Sequence, residues 1–451
     1  MKKRFLHVLV LALILLLAAC GGDSDTGGDS GTSDNGGDSS SGEGTSDGES
    51  AGEGEIVEIE YWQYHFDSKV KLIDELIEEF EEANPGIKVK HTTFPYDQYN
   101  ERVAAQVPAG RGPDVINLFY GWVPRYVDSG YLQPLPQDAF PHDEIESEFF
   151  PMVEAVKLDG EYWTIPTAVR TLALFYNKDL FAEAGLDPDS PPTTWDELVE
   201  YSIALTKRDN NNRLQQAGMA WEPSQQGHHW FRDALLYQAG GQGLSDDRKT
   251  ILWDSTPAGL EAFKYWLDFP TTHGVAERDF YTDDVTAFRT GHAAMNVDGS
   301  FRIGTLQNDA PNFEWATAPL PMKDHRSTQS SFWSNGITSG VEGAKLDAAV
   351  KFLQFLTTDE VMERWLDEIG ELPAKESVAL QDKYLNHEIY GAFMEQLPYA
   401  NAHFFVDESQ ERDLVIQAVD RVLLQNVSPE EAFEELVEET QKLFDNYWAN
   451  R

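Results

Sequence analysis

The sequence predicts an α/β protein built as two lobes, and three observations predict it. Apolar runs of strand character alternate with helical stripes from Ile56 to Leu118. The alternation resumes after Thr167. About 400 residues follow the first 54, enough chain for two well-buried interiors. Hydrophobic residues at 41% and aromatic residues at 12% place that stretch in the globular class.

Ile56-Val57-Glu58-Ile59-Glu60-Tyr61-Trp62 reads as a first strand, because β-branched and aromatic residues dominate it. A helix follows, with Val70, Leu72, Ile73, Leu76, Ile77 and Phe80 on one stripe, and Asn84-Pro85-Gly86 stops it. Ile87-Lys88-Val89-Lys90 reads as a second strand, Tyr99 to Val107 as a helix and Asp114-Val115-Ile116-Asn117-Leu118 as a third strand. This order implies a mostly parallel sheet with right-handed crossovers. Such sheets place ligands beyond the carboxyl ends of their strands, so Gln63, Tyr64 and His65, Tyr96, and Tyr120, Gly121 and Trp122 are early site candidates. In the second block Leu172-Ala173-Leu174-Phe175-Tyr176 leads into short helices. Thr194 and Glu197 form a capping box there, and Ser428-Pro429-Glu430-Glu431 opens a late helix with an N-cap and a proline at the first helical position.

The N-terminus reads differently. Lys2, Lys3 and Arg4 precede an apolar run from Val8 to Leu17 that ends in Leu17-Ala18-Ala19-Cys20. The run is shorter than the roughly 20 residues that span a bilayer. Residues 1–19 are therefore expected to be a signal peptide; the site resembles the lipobox of bacterial lipoproteins, with Cys20 lipidated and the protein anchored to the extracytoplasmic face of the cell membrane. Cys20 is the one cysteine, so the body is expected to hold no disulfide and no thiolate metal site. Residues 20–54 are almost entirely Gly, Ser, Asp, Glu and Thr and read as an acidic tether with a reach of roughly 30 Å. The formal net charge of −44 makes nucleic acid an improbable partner and suits a surface kept soluble in high salt.

Several segments carry a family resemblance in their joint order. They are Phe80 with Asn84-Pro85-Gly86-Ile87-Lys88-Val89; Ala109-Gly110-Arg111-Gly112-Pro113-Asp114-Val115; and Asp159-Gly160 with Tyr162-Trp163-Thr164-Ile165-Pro166. Leu174-Phe175-Tyr176-Asn177-Lys178-Asp179-Leu180-Phe181, Pro191-Pro192-Thr193-Thr194-Trp195-Asp196-Glu197-Leu198, Phe288-Arg289-Thr290-Gly291-His292-Ala293-Ala294-Met295 and Glu371-Leu372-Pro373-Ala374 complete them. The chain resembles the extracellular solute-binding proteins of ABC importers, and among them the carbohydrate-binding cluster, family 1, that includes maltose-binding protein. The resemblance implies a two-lobed periplasmic-binding-protein-like fold with a ligand cleft between the lobes. One lobe would hold residues 55–167 and 337–376, the other 168–336 and 377–451. It further implies a monomer that captures a sugar by lobe closure, needs no cofactor or metal, catalyses nothing and delivers its ligand to membrane permease subunits.

A sugar presents weakly apolar C–H faces and a rim of hydroxyls, so its site needs aromatic plates and planar polar groups. Tyr120 and Trp122 after the third strand, Phe301 after Gly299-Ser300, and Trp333 before Ser334-Asn335-Gly336 are the expected plates. His228, His229 and Trp230 are expected in a loop ahead of Phe231. Gln63, His65 and Arg170 are the expected polar contacts. The position matching Arg170 in maltose-binding protein is a carboxylate, and an arginine there would grip vicinal hydroxyls, a ligand carboxylate or an acid of the hinge. A secreted glycoside hydrolase is the alternative from another class, and a ligand-binding adaptor for a surface sensor shares the fold. From Ile56 onward neither a Gly-x-Ser-x-Gly elbow nor a phosphate loop is present, and Asp209-Asn210-Asn211-Asn212 lacks the later oxygens of a calcium loop.

Overall fold

Strand β1 (Val57–Tyr64) starts with an alternating burial pattern and ends fully buried, which is where the chain dives beneath its neighbours. Helix α1 (Asp67–Ala83) follows and buries Leu72, Ile73, Leu76, Ile77 and Phe80, the expected stripe less Val70. Each such side chain contributes roughly 1.5–3 kcal/mol through lost water contact. Asn84 ends the helix by donating from Nδ2 to the Phe80 carbonyl at 2.9 Å, and the chain turns into β2 (Ile87–Phe94). Helix α2 (Tyr96–Gln106) leads to β3 (Val115–Phe119), buried along its whole length as a strand covered on both faces must be. A computed structural model gives this architecture for residues 56–309 and 311–451. The expected signal peptide, the expected lipidation site Cys20 and the expected acidic tether lie outside the described residues.

β1 pairs in parallel with β2 and with β3, as the strand–helix alternation predicts. The expectation of a mostly parallel sheet stops there. β4 (Thr164–Asn177) and β7 (Thr328–Thr338) are long strands that pair antiparallel with each other, and β7 pairs antiparallel with β3. β5 (Met295–Gly299) and β6 (Trp315–Ala318) both pair antiparallel with the later half of β4. The sheet therefore runs in the order β5-β4-β7-β3-β1-β2. Its physical cause is in β4 and β7: each is long enough to pair with different partners at its two ends, so each crosses from one group of strands to the other. Ile165 to Ala168 of β4 sit beside β7, while Leu172 to Tyr176 sit beside β5.

Helices cover both groups. α3 (Trp195–Leu205) starts in the expected capping box, Thr194 and Glu197 bonding reciprocally. α4 (Gln226–Gln238) is buried over eleven of its 13 residues. α5 (Asp359–Ile369) ends at Gly370, whose φ of 81° is left-handed and open to glycine without strain. The next residues, β8 (Leu372–Pro373), pair with β4 at Val169 and Ala168, which fixes Glu371 beside the crossing strand. α6 (Glu408–Gln425) and α7 (Pro429–Asn450) pack on each other at the C-terminus, α7 opening with Ser428 accepting from the Glu431 amide.

Candidate functional site

The ends of these elements enclose a cavity of about 730 Å³, within the range of small-molecule sites. One wall is the β1–α1 junction from Tyr64 to Lys69, with Phe119, Trp333 and Glu371 behind it. The opposite wall is Gln226, Phe301, Arg302, Gly304, Thr305 and Asn308. A groove of similar size, about 700 Å³, lies at Trp195 and Tyr265, whose rings stack on each other and so present a single aromatic surface. The cavity at Phe301 instead has aromatic rings on both walls.

Its aromatic wall is a packed layer. Tyr64 and Trp333 have ring centroids 4.1 Å apart, Trp122 meets Trp333 edge-on at 5.4 Å, and Phe119 lies parallel to Trp230 at 6.4 Å and 4°. Phe301 has two guanidinium groups near its ring, Arg170 at 5.3 Å and Arg302 at 5.5 Å from the ring centre. The ring reaches this position by folding back over Gly299, where a Cβ would stand 2.0 Å from it. Glycine at 299 is thus what lets Phe301 lie flat.

The charged groups form two sets. Glu371 accepts from Arg170 Nε at 2.6 Å and from Arg170 Nη2, pairs with Lys69 Nζ at 2.7 Å and accepts from Trp365 Nε1 at 3.0 Å. Burial pushes the Glu371 carboxyl up, but Arg170 and Lys69 outweigh it and hold the group at about 2. On the other wall Arg302 donates to Asp298 at 2.8 Å. Behind it burial, with Asp298 adding to it, raises Asp284 to about 7. The sign follows from linkage: between the ordinary aspartate value of 3.8 and about 7 the folded state keeps a proton the unfolded chain has lost, so stability falls as pH rises through that window. Asp284→Asn is expected to flatten this loss, by at most about 1.4 kcal/mol per pH unit. Melting temperatures of both proteins across the window check it; parallel curves would contradict it.

The residues singled out from sequence separate into groups. His65, Arg170, Phe301 and Trp333 line the cavity together. Gln63 is not beyond β1 but inside it, 2% exposed, facing a small adjoining cavity shared with Lys69, Trp333 and Glu371. His65 sits on the rim, its ring nitrogens 3.1 Å from Thr93 Oγ1 and 2.8 Å from Asp67 Oδ1. Tyr120 is buried and stacked on Phe332 at 4.7 Å, and Trp122 packs on Phe119 and Trp333. The loop expected at His228, His229 and Trp230 is instead the first part of α4. That helix packs against β5 and β7, so Gly227 abuts the Val297 carbonyl and no loop fits there. His228 is buried with Nε2 2.9 Å from Asn296, and burial pushes His229 well below the usual histidine range. Trp230 lies one layer behind Phe119.

Sequence reasoning missed Lys69, Phe119 and Glu371. Glu371 stands in the Glu-Leu-Pro-Ala segment that carries the family resemblance, and Lys69 is one charge among many on α1. Three buried polar atoms near the cavity, Gln63 Nε2, Tyr120 Oη and Trp230 Nε1, have no hydrogen-bond partner within the described protein. Each such atom costs about 1–3 kcal/mol unless something bonds it. Among the described residues no cluster of three His, Cys, Asp or Glu could hold a metal ion, and no helix is long and apolar enough to cross a membrane.

The chain matches the bacterial extracellular solute-binding protein family over residues 75–392. It is 26% identical over 355 residues to the maltotriose-binding protein of Pyrococcus abyssi (strain GE5 / Orsay), covering 76% of this chain and 72% of that relative. It is 25% identical over 341 residues to the sn-glycerol-3-phosphate-binding periplasmic protein of Shigella flexneri serotype 5b (strain 8401), covering 70% of this chain and 74% of that relative. Among solved structures it superposes with TM-score 0.78 on the cyclic alpha-maltosyl-1,6-maltose binding protein from Arthrobacter globiformis, at 25% identity and over 87% of this chain and 100% of that one.

Proposed function

Because the chain belongs to the bacterial extracellular solute-binding proteins, we propose that it captures a mono- or oligosaccharide between two lobes and delivers it to the permease of an ABC importer. One observation carries this: a single cavity of about 730 Å³ has aromatic rings on both walls, Tyr64, Phe119 and Trp333 facing Phe301. Those rings suit the C–H faces of a sugar. Gln63 Nε2, at the small adjoining cavity, would bond a hydroxyl, with His65 and Arg170 at the cavity wall. The sugar ligands of similar proteins support the choice.

Capture requires the walls to approach. The lobes would be 55–167 with 337–376 and 168–336 with 377–451, and β4 and β7 are the strands that pass between them. A small change of backbone angle in two extended strands moves whole lobes while leaving their cores intact. Trp122 belongs to the same aromatic layer, whereas His228 and His229 support α4 from within.

No reaction is proposed in the cleft. A hydrolase acting on a sugar bond needs one carboxyl kept protonated and a second one free across the bond. Glu371 is held at about 2 and is fully engaged by two cations and an indole. Glu368 pairs with Arg364 at 2.9 Å and Asp67 with His65 at 2.8 Å. Retention at the extracytoplasmic face would come from a lipid on Cys20, with the acidic segment to residue 54 as tether. That raises the local concentration of a monomeric binder near its permease. Thermal shift and calorimetry over a panel of sugars test the proposal: a stabilising sugar recovered unchanged supports it, and a product released by the purified protein overturns it.

A further inference from the structure

We propose that the captured sugar is anionic, bearing a carboxylate or a phosphate whose charge neutralises a surplus cation at the deep wall of the cleft. This rests on the reading of the cleft as a sugar site and names the class of sugar. The chain has 78 acidic and 34 basic residues. Against that excess the deep wall of the cleft is inverted: Lys69 and Arg170 share one carboxylate, Glu371. Among the described residues neither cation is ion-paired to a second acid. All three side chains are buried, at 6%, 13% and 6% exposure for Lys69, Arg170 and Glu371.

The other acids near the cavity are already committed. Asp298 serves Arg302, Glu368 joins Glu75 and Glu79 around Arg364, and Asp67 is 97% exposed beside His65. Glu371 supplies a single negative charge for the pair, its Oε1 taking both cations and its Oε2 the Trp365 indole. A buried cation without a counter-charge is costly, and acids on the outer surface are too far away and too well screened to supply one. A second, independent feature points the same way. The Gln63 amide nitrogen, on a residue 2% exposed, is a donor without a partner, and it faces the small cavity that Lys69 and Glu371 also line. Donor and surplus charge converge on one place, where an anionic oxygen would satisfy both.

The test uses matched ligands on the purified protein: glucose, glucuronate and glucose 6-phosphate, the galactose counterparts, and disaccharides of the neutral and uronate classes. Calorimetry is expected to show an anionic member binding roughly tenfold or more tighter than its neutral partner, and the uronate and phosphate arms tell which anion is meant. Lys69→Met leaves Glu371 and Arg170 as a one-to-one pair, so its ligand-free melting temperature should stay level or rise while the preference disappears. A neutral sugar binding as tightly as its charged partner overturns the inference and leaves the sugar reading standing. Lys69→Met retaining the preference also overturns it. No binding by any member, neutral or charged, sinks the sugar reading itself.

Discussion

Glu371→Gln is expected to destabilise the protein by about 3–5 kcal/mol, because it leaves two buried cations without their shared counter-charge. The carboxylate joins three elements: Arg170 on β4, Lys69 on α1 and Trp365 on α5. Its loss therefore weakens the crossing strand and the cavity wall together. The effect also has a defined pH dependence. The folded value of about 2 lies below the ordinary 4.5, so the stabilisation is complete above the ordinary value and is lost as pH falls through the interval toward the folded one. Denaturation of both proteins at a series of pH values should show a constant gap near neutrality that narrows in acid. A gap that stays constant down to the folded value would mean that the carboxylate is not what holds the two cations.

Phe301→Ala is expected to weaken sugar binding by roughly 10- to 100-fold, the scale of losing an aromatic anchor at the centre of a site. Its stability cost should be about 1 kcal/mol or less, since the ring is partly exposed and packs on guanidinium groups that keep their own carboxylate partners rather than in a core. Calorimetry with the best sugar, paired with a melting curve, separates the two effects. Wild-type affinity in this variant would remove Phe301 from the site. Trp230 is a poorer probe, being 1% exposed behind Phe119, so its truncation would disturb the packing as well as the ligand.

Local signals were readable wherever a short stretch decides the outcome. The stripe of α1, the Asn84-Pro85-Gly86 stop and the capping box at Thr194 depend on neighbours within one or two turns, and the structure has all three. Strand pairing is different, because the partner is far away in sequence. Nothing within Thr164–Asn177 says that its two ends pair with different strands, so the antiparallel half of the sheet was not legible. α4 was hidden for another reason. A helix buried all round has no polar face and thus no amphipathic period, and Gly227, His228 and His229 look like a loop.

The site was partly legible for the same reasons. Positions at strand ends and crossings, His65, Arg170, Phe301 and Trp333, do meet in one cavity. Tyr120 sits one layer deeper because the aromatic residues that follow β3 pack inward, and Trp230 because α4 is buried behind Phe119. Lys69 and Glu371 were invisible because charge is so common in this chain that no single charged residue stands out. Their significance comes only from the pairing of β8 with β4, which sets Glu371 against Arg170.

The most direct measurement is calorimetric titration of the purified protein with the sugar panel, followed by mass analysis of the recovered ligand. One sugar should bind at one equivalent per chain and return with its mass and linkage unchanged. A saturating panel with no heat of binding, or a bound sugar recovered cleaved or otherwise altered, would contradict capture without chemistry in the cleft between Trp333 and Phe301.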